Sequence, residues 1–304
     1  MSLRYHADGM SPRGVGIFFL VLSGSAVACR ERAPSPATAP ITLVVALNSD
    51  PGAMNPAVTT SGATHPVTDQ IFNGLVGLDE QLTPVPELAE RWAIEDEGRT
   101  YRFALRQDVK WHDGKPFTSA DVKFTFEQAL LKYHSRTRAA LQDVIERIDT
   151  PDAHTALFRL RRPYSPLLQR LDVVEASIIP AHAYAGQDLL SGEATRHPIG
   201  TGPVRFVSYA PADRVVLERN ATYFRRDLPG VDRLVFRILP DRATAVAALE
   251  RGEVDYIGSV TGPEVERLKK TPGIAVVAGS GGSGGSVCED VLIPNLSRAP
   301  LGDL

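Results

Sequence analysis

Apolar and polar positions follow two different periods along the chain, and the two periods predict strands and helices in alternation. Residues 41–47, ITLVVAL, form a continuous apolar run rich in β-branched side chains, which predicts a buried strand. Residues 99–106, RTYRFALR, alternate aromatic or aliphatic side chains with arginine, so we expect a half-buried strand there. We expect this strand to continue through Val109 and Trp111 to a turn at Asp113–Gly114.

Two segments of the first half carry apolar residues at helical spacing. The first segment predicts a helix that ends at Gly74 or Gly77. Its apolar positions are Val67, Ile71 and Leu75. Thr118 followed by Asp121 predicts a capping box at the start of the second helix. The apolar positions expected along that helix are Val122, Phe126, Ala129 and Tyr133.

The second half of the chain repeats this mixture of periods. Residues 204–220 predict a hairpin with its turn at Pro211–Asp213. A strand is expected at 233–239, a helix capped by Asp241 after it, and a further strand at 254–258. This alternation favours a mixed α/β protein.

Composition places the chain among ordinary globular proteins of about two domains. Hydrophobic residues make up 43% and charged residues 23% of the sequence. The 33 basic and 36 acidic residues give a net charge of −3, and this balance argues against a nucleic-acid partner.

The first residues resemble an export signal. Residues 14–28 are an apolar segment too short to span a membrane, and they end in Ala26-Val27-Ala28, a typical cleavage site. Cys29 follows directly, as in a bacterial lipoprotein, so we expect a signal peptide over 1–28 and a lipid on Cys29, with plain secretion as the alternative. The Pro/Ala-rich stretch 29–40 is expected to be a tether. An extracytoplasmic location follows in either case.

Candidate catalytic and metal-binding groups are few. Adjacent His112 and Asp113 are expected to point to opposite faces, so we interpret them as part of a structural turn. Ser283 has the formal spacing of a nucleophile elbow, but no helical pattern follows it. The seven histidines and two cysteines contain no metal-ligand spacing. We therefore expect no enzyme activity, no cofactor and no metal, and an extracytoplasmic hydrolase remains a weaker alternative.

A glycine-rich segment near the C-terminus raises the question of a nucleotide site. An expected strand at 274–278 runs into Gly279, Gly281 and Gly284, which fit G-x-G-x-x-G. A dinucleotide site needs a helix that begins at the third glycine, and the following apolar run predicts a strand instead. The segment is more typical of a flexible crossing.

Three blocks of sequence resemble the peptide/nickel-binding family of extracytoplasmic solute-binding proteins of ABC importers. They are Ile71–Leu130, His197–Phe224 and Leu239–Gly258. The resemblance implies an α/β fold of the type II periplasmic-binding-protein kind. This chain would contain the first lobe only, built from a discontinuous domain I and an inserted domain II.

On that pattern the domain boundaries can be assigned. Domain I would comprise 41–84 and 195–278, and the inserted domain II would comprise 85–194. Residues 279–304 would be the hinge crossing and the start of a second lobe that is missing from this sequence. We therefore expect an N-terminal fragment with impaired binding, and a non-binding remnant or interaction module is the alternative.

The resemblance implies a substrate-binding lipoprotein that delivers a peptide or similar solute to an ABC permease. A monomer held at the membrane by a lipid on Cys29 is expected, with no nucleic-acid partner. The TTSGAT loop (Thr59–Thr64) resembles the ligand-facing loop of dipeptide binders, so Thr60, Ser61 and Gly62 are the candidate ligand-binding residues. Small polar residues would let another backbone approach closely, although an ordinary surface loop has the same composition. The aromatic residues expected in the core instead are Trp111, Phe117, Phe124 and Phe126.

Overall fold

The structure, a computed structural model, describes residues 40–258, 260 and 262–277 of the 304-residue chain. Three predictions lie outside the described residues: the signal peptide, the lipid on Cys29 and the hinge crossing at 279–304. The same is true of the tether apart from Pro40, and of the glycine motif.

The described residues contain strands and helices in alternation, which confirms the predicted α/β class. The strands are β1 (Thr42–Leu47), β2 (Val76–Leu78), β3 (Pro84–Pro86), β4 (Ala89–Glu95), β5 (Thr100–Leu105), β6 (Ile145–Asp152), β7 (Thr155–Leu160), β8 (Val204–Ala210), β9 (Arg214–Arg219), β10 (Arg233–Ile238) and β11 (Tyr256–Ile257). The helices are α1 (His65–Ile71), α2 (Ser119–Phe124), α3 (Ser135–Leu141), α4 (Val173–Ala176), α5 (Ala181–Tyr184), α6 (Glu193–Arg196), α7 (Arg242–Glu250) and α8 (Pro263–Leu268). Short 3₁₀ turns occur at Pro56–Val58, Asp96–Gly98 and Ser165–Arg170.

A mixed sheet has the strand order β11-β1-β10-β9-β8. β1 pairs in parallel with β10 and β11, while β10, β9 and β8 pair antiparallel. The predicted hairpin of β8 and β9 is confirmed. The predicted cap of α7 is confirmed as well, since an Asp241 carboxylate oxygen accepts a hydrogen bond from the backbone amide of Thr244 at 2.7 Å. β1 is less buried than its apolar run suggested: only Leu47 is fully buried, Thr42 is exposed and the residues between them are half-buried.

A second, antiparallel sheet has the order β4-β5-β7-β6. The alternation predicted for β5 is confirmed, because Tyr101, Phe103 and Leu105 are buried. The Phe103 and Phe126 rings both pack edge-on against Phe158, with centroid separations of 5.3 and 4.9 Å. The four aromatic residues predicted for the core, Trp111, Phe117, Phe124 and Phe126, all pack there, Phe124 partly exposed.

The first predicted helix is shorter than expected. α1 ends at Ile71, Phe72 is extended, and Leu75 is buried outside the helix. At Gly74 an added Cβ would lie 2.5 Å from the backbone of Asp172, so this glycine permits a close chain approach and does not end a helix.

The second predicted helix begins as expected and then changes its pitch. The capping box of Thr118 and Asp121 is present. After α2 the chain widens into a π-helical turn, Thr125–Leu130, which shifts the register of the positions that follow. Tyr133 is 46% exposed, so it does not continue the buried face of Val122, Phe126 and Ala129 that its helical spacing suggested.

Two predicted strand segments are absent from the described residues. β5 ends at Leu105, because the chain up to the Asp113–Gly114 turn pairs with itself: Trp111 N donates to Lys115 O and Phe117 N donates to Val109 O. The strand expected at 274–278 is not formed over 274–277, where Val277 is 86% exposed.

Candidate functional site

The TTSGAT loop is reached from the carboxyl end of β1 and leads directly into α1. Ligands of open α/β sheets bind outside the carboxyl ends of parallel strands, so the loop lies on the side of the sheet where such folds bind ligands. Asn55 fixes the approach to the loop: its Oδ1 accepts from Ala57 N at 3.2 Å and its Nδ2 donates to Leu189 O at 2.8 Å. Pro56 and Ala57 are buried, which gives the loop a rigid base.

Hydroxyl groups shape the loop from within. The amide of Ser61 donates to Thr59 Oγ1 at 3.1 Å, and the amide of Ala63 donates to Ser61 Oγ at 3.2 Å. The carbonyl of Ser61 accepts from the amides of Thr64 and His65. Serine and threonine favour turns closed by such local bonds. A contact with a more distant part of the chain is added by Thr64, whose Oγ1 donates to Pro51 O at 2.9 Å.

The three predicted ligand-facing residues differ in their surroundings. Ser61 and Gly62 are exposed, whereas Thr60 is half-buried with its Oγ1 3.5 Å from Ser135 Oγ. A Cβ added at Gly62 would meet nothing within 4 Å, and Gly62 does not have a left-handed backbone. The fold itself therefore does not require glycine at this position.

His65, the first residue of α1, closes the loop. Its Nδ1 lies 2.9 Å from Asp69 Oδ1 and its Nε2 lies 3.1 Å from Thr59 O. Burial alone would lower the pKa of His65. The hydrogen bond to Asp69, the charge of that carboxylate and the Thr59 carbonyl outweigh burial and raise this pKa above its ordinary value of 6.5. The pKa of Asp69 is raised by burial, against the opposing effect of His65.

A second histidine packs edge-on to the first, with 6.4 Å between the ring centroids of His65 and His134. Nδ1 of His134 accepts from Thr137 N at 3.3 Å, and its Nε2 is buried without a hydrogen-bond partner among the described residues. Burial and the nearby charges of Arg136 and His65 lower the pKa of His134 to about 4. His134 is therefore neutral at pH 7.

Acidic and basic side chains of α3 and α4 lie behind this pair. Arg136 Nε is 3.1 Å from Glu175 Oε1, and Asp172 Oδ1 accepts from Glu175 N at 3.1 Å. Burial raises the pKa of Asp172 to about 6, despite the hydrogen bond from the Glu175 amide. The TTSGAT loop thus lies over a group of titratable side chains in which His65 and His134 are buried and Arg136 is exposed.

The pair His112–Asp113 has separate structural contacts. Nδ1 of His112 accepts from Gly200 N at 3.2 Å, and its Nε2 donates to Gly202 O at 3.0 Å. Burial lowers the pKa of His112 to about 4. Asp113 Oδ2 instead lies 2.8 Å from His182 Nε2. The two side chains therefore contact different parts of the chain, and both lie in a turn, as the structural interpretation predicted.

Sequence reasoning missed the polar group beneath the loop. The i, i+4 spacing of His65 and Asp69 on a predicted helix was a usable signal for that pair. His134 comes from a distant segment, and nothing in the sequence indicates that it meets His65. Within the described part of the chain, no group of three metal-ligating side chains occurs, and no helix is long and apolar enough to span a membrane.

Comparison with known proteins identifies the class. The family model described as bacterial extracellular solute-binding proteins, family 5 Middle, matches residues 83–304. The chain belongs to this family, and its fold is that of the type II periplasmic binding proteins.

Three individual proteins illustrate what the chain is similar to. A Brucella ovis protein, provisionally named an ABC transporter peptide-binding protein, is 37% identical over 246 residues, which cover 78% of this chain and 46% of that protein. The dipeptide-binding protein of Escherichia coli K12 is 30% identical over 285 residues, which cover 86% of this chain and 52% of that protein. The solved structure of the periplasmic binding protein DppA from Helicobacter pylori, in complex with the peptide STSA, is 28% identical with a TM-score of 0.68 and covers 77% of this chain and 50% of its own. The chain thus spans about half the length of the curated relatives it matches.

Proposed function

We propose that this protein is the solute-binding component of an ABC importer, which captures a peptide or similar small solute outside the cytoplasm and delivers it to a membrane permease. The observation that carries the proposal is the family match over residues 83–304. The relatives named for peptides support a peptide as the solute class. Binding would proceed by closure of lobes around the ligand, without covalent chemistry.

The TTSGAT loop supplies the contact with the ligand backbone in this proposal. Support comes from the exposure of Ser61 and Gly62 and from the open space around the α-carbon of Gly62. The Ser61 Oγ accepts a bond from Ala63 N within the loop, and its O–H can still donate to a ligand carbonyl. Thr60 contributes a hydroxyl near Ser135, and Gly62 contributes a backbone that another chain can approach.

Attachment to the membrane is a separate part of the proposal. Its support is the sequence Ala26-Val27-Ala28-Cys29, which resembles a lipoprotein cleavage site. Growth with an alkyne-labelled fatty acid should label the wild-type protein and leave Cys29→Ser unlabelled. Equal labelling of both proteins, or of neither, would remove the lipid anchor from the proposal.

The solute class is tested by ligand titration of the full chain, followed by amide NMR so that weak binding is detected. The probes are the dipeptide Met-Leu, the tetrapeptide Ser-Thr-Ser-Ala and the nickel–histidine complex. We expect the peptides to shift the amide resonances of the TTSGAT loop. The absence of any shift with either peptide at millimolar concentration would overturn the peptide proposal, and shifts with nickel–histidine alone would reassign the solute to a metal chelate.

A further inference from the structure

The bonds of the His65 ring determine how many protons it must carry. Its two nitrogens face the Thr59 carbonyl at 3.1 Å and an Asp69 carboxylate oxygen at 2.9 Å. A carbonyl accepts hydrogen bonds and cannot donate, and the same is true of an ionised carboxylate. Both bonds can therefore be formed only when the pair holds one proton more than a neutral imidazole beside a carboxylate.

His65 holds the TTSGAT loop at two points. The ring binds the carbonyl of Thr59, the first loop residue, and the backbone amide of His65 donates to Ser61 O at 3.2 Å. Thr59 in turn orients Ser61 through its Oγ1. If the His65–Asp69 pair loses this proton, a lone pair of the ring must face either the carbonyl or the carboxylate, and one of these two bonds is lost.

We propose that His65 is a positioning residue of the ligand site, which holds the TTSGAT loop in its binding conformation only while the His65–Asp69 pair keeps this extra proton. The inference rests on the proposed function, since it takes this loop as the ligand contact. Rising pH would thus loosen the loop and weaken capture.

The charged surroundings of His65 agree with this proton-dependent role. On α1 the ring faces Asp69, whose charge favours the imidazolium, and from α3 it faces the charge of Arg136, which opposes it. His134 is neutral and presents a ring edge. Asp172 lies behind Asp69, close enough for the two carboxyl groups to interact. Together these interactions raise the pKa of His65, so the proton is lost above pH 6.5. Because His65 and Asp69 interact, this titration describes the pair and not either residue alone.

The test follows three quantities in the full chain between pH 6 and pH 9. These are the NMR titration of the His65 ring, the exchange protection of the amides of Thr64 and His65, and the affinity for Met-Leu. We expect protection and affinity to fall together, roughly fivefold, with the midpoint of the ring titration.

Two variants separate positioning from a merely structural role. In His65→Gln the glutamine amide can donate one hydrogen bond but has no ring that titrates. The affinity of this variant for Met-Leu should therefore be reduced at pH 6 and independent of pH. Asp69→Asn removes the charge that favours the imidazolium, so the midpoint should move to lower pH. The matched control is His197→Gln, because His197 is an exposed histidine with a carboxylate partner four residues before it, Glu193, and should keep the wild-type profile.

Two results would overturn the inference. One is amide protection that stays constant while the His65 ring loses its proton, and the other is an affinity for Met-Leu that is the same at pH 6 and pH 9. If Met-Leu binds at no pH, the proposed function fails, and the ring titration and amide protection still decide whether His65 controls the loop.

Discussion

The TTSGAT loop and the Gly200–Gly202 segment each contain glycine and each bond to a neighbouring histidine, in opposite surroundings. In the loop, Gly62 has nothing near its α-carbon, and His65 faces two acceptors. In the segment, a Cβ at Gly200 would lie 1.8 Å from Ile71 O, and His112 faces one donor and one acceptor.

The comparison shows that partners, and not residue types, separate a structural site from a candidate binding site. A donor on one side and an acceptor on the other match a neutral imidazole, so His112 is satisfied without charge. Two acceptors demand an extra proton, which makes the His65 contact depend on pH. Likewise, Gly200 is required by its neighbours within the chain, whereas no neighbour within the described chain requires Gly62.

The largest expected effect is that of Gly200→Ala. The new methyl group would overlap the backbone of Ile71, so we expect a loss of about 4 kcal/mol or more in the free energy of unfolding. Urea denaturation of the full chain measures it, with Gly230→Ala as control because a Cβ there meets nothing within 4 Å. Equal stability of the two variants would contradict the close approach at Gly200.

The next effect is that of His112→Ala. It removes two hydrogen bonds and leaves the amide of Gly200 buried without its partner, so we expect a loss of roughly 3 kcal/mol. The pKa of His112 lies at about 4, below the ordinary 6.5, so its contribution is complete above pH 6.5 and declines as pH falls towards 4. Urea denaturation at pH 7 and pH 9 should give the same loss, and a loss that differs between them would show that His112 is not neutral.

A smaller effect with the opposite pH dependence is expected for His65→Gln. The pKa of His65 is raised, so its contribution to stability is complete below pH 6.5 and is lost as pH rises through the folded-state pKa. We expect a loss of about 1 kcal/mol at pH 6 that approaches zero at pH 9. The check is urea denaturation at both pH values, and a larger loss at pH 9 than at pH 6 would reverse the assignment of charge.

The sequence was sufficient where a local pattern determines a local structure. The alternation of Tyr101, Phe103 and Leu105 predicted the exposed and buried faces of β5, and Thr118 with Asp121 predicted the start of α2. Each of these depends on neighbours within a few residues, and no long-range contact overrides them.

The sequence was insufficient where distant segments meet. The chain approach that requires Gly74 is a contact with residues 171–173, far along the chain, and the helical spacing of apolar residues does not indicate the π-helical turn before Tyr133. The candidate site divides in the same way: resemblance predicted the loop residues, while the contact between His65 and His134 depends on tertiary structure. The charge state of the His65 ring depends on three partners, and residue spacing along the chain cannot indicate all three.

The most direct test of the ligand contact compares Gly62→Ala with Gly230→Ala, since both positions have room for a methyl group. Both variants should keep a free energy of unfolding within about 0.5 kcal/mol of the wild type. In an NMR titration with Met-Leu at pH 6, we expect Gly62→Ala to bind roughly tenfold more weakly, because the methyl group occupies space that the ligand backbone needs, while Gly230→Ala binds like the wild type. Wild-type affinity in Gly62→Ala would contradict the account, because the ligand would then not approach the TTSGAT loop at this position.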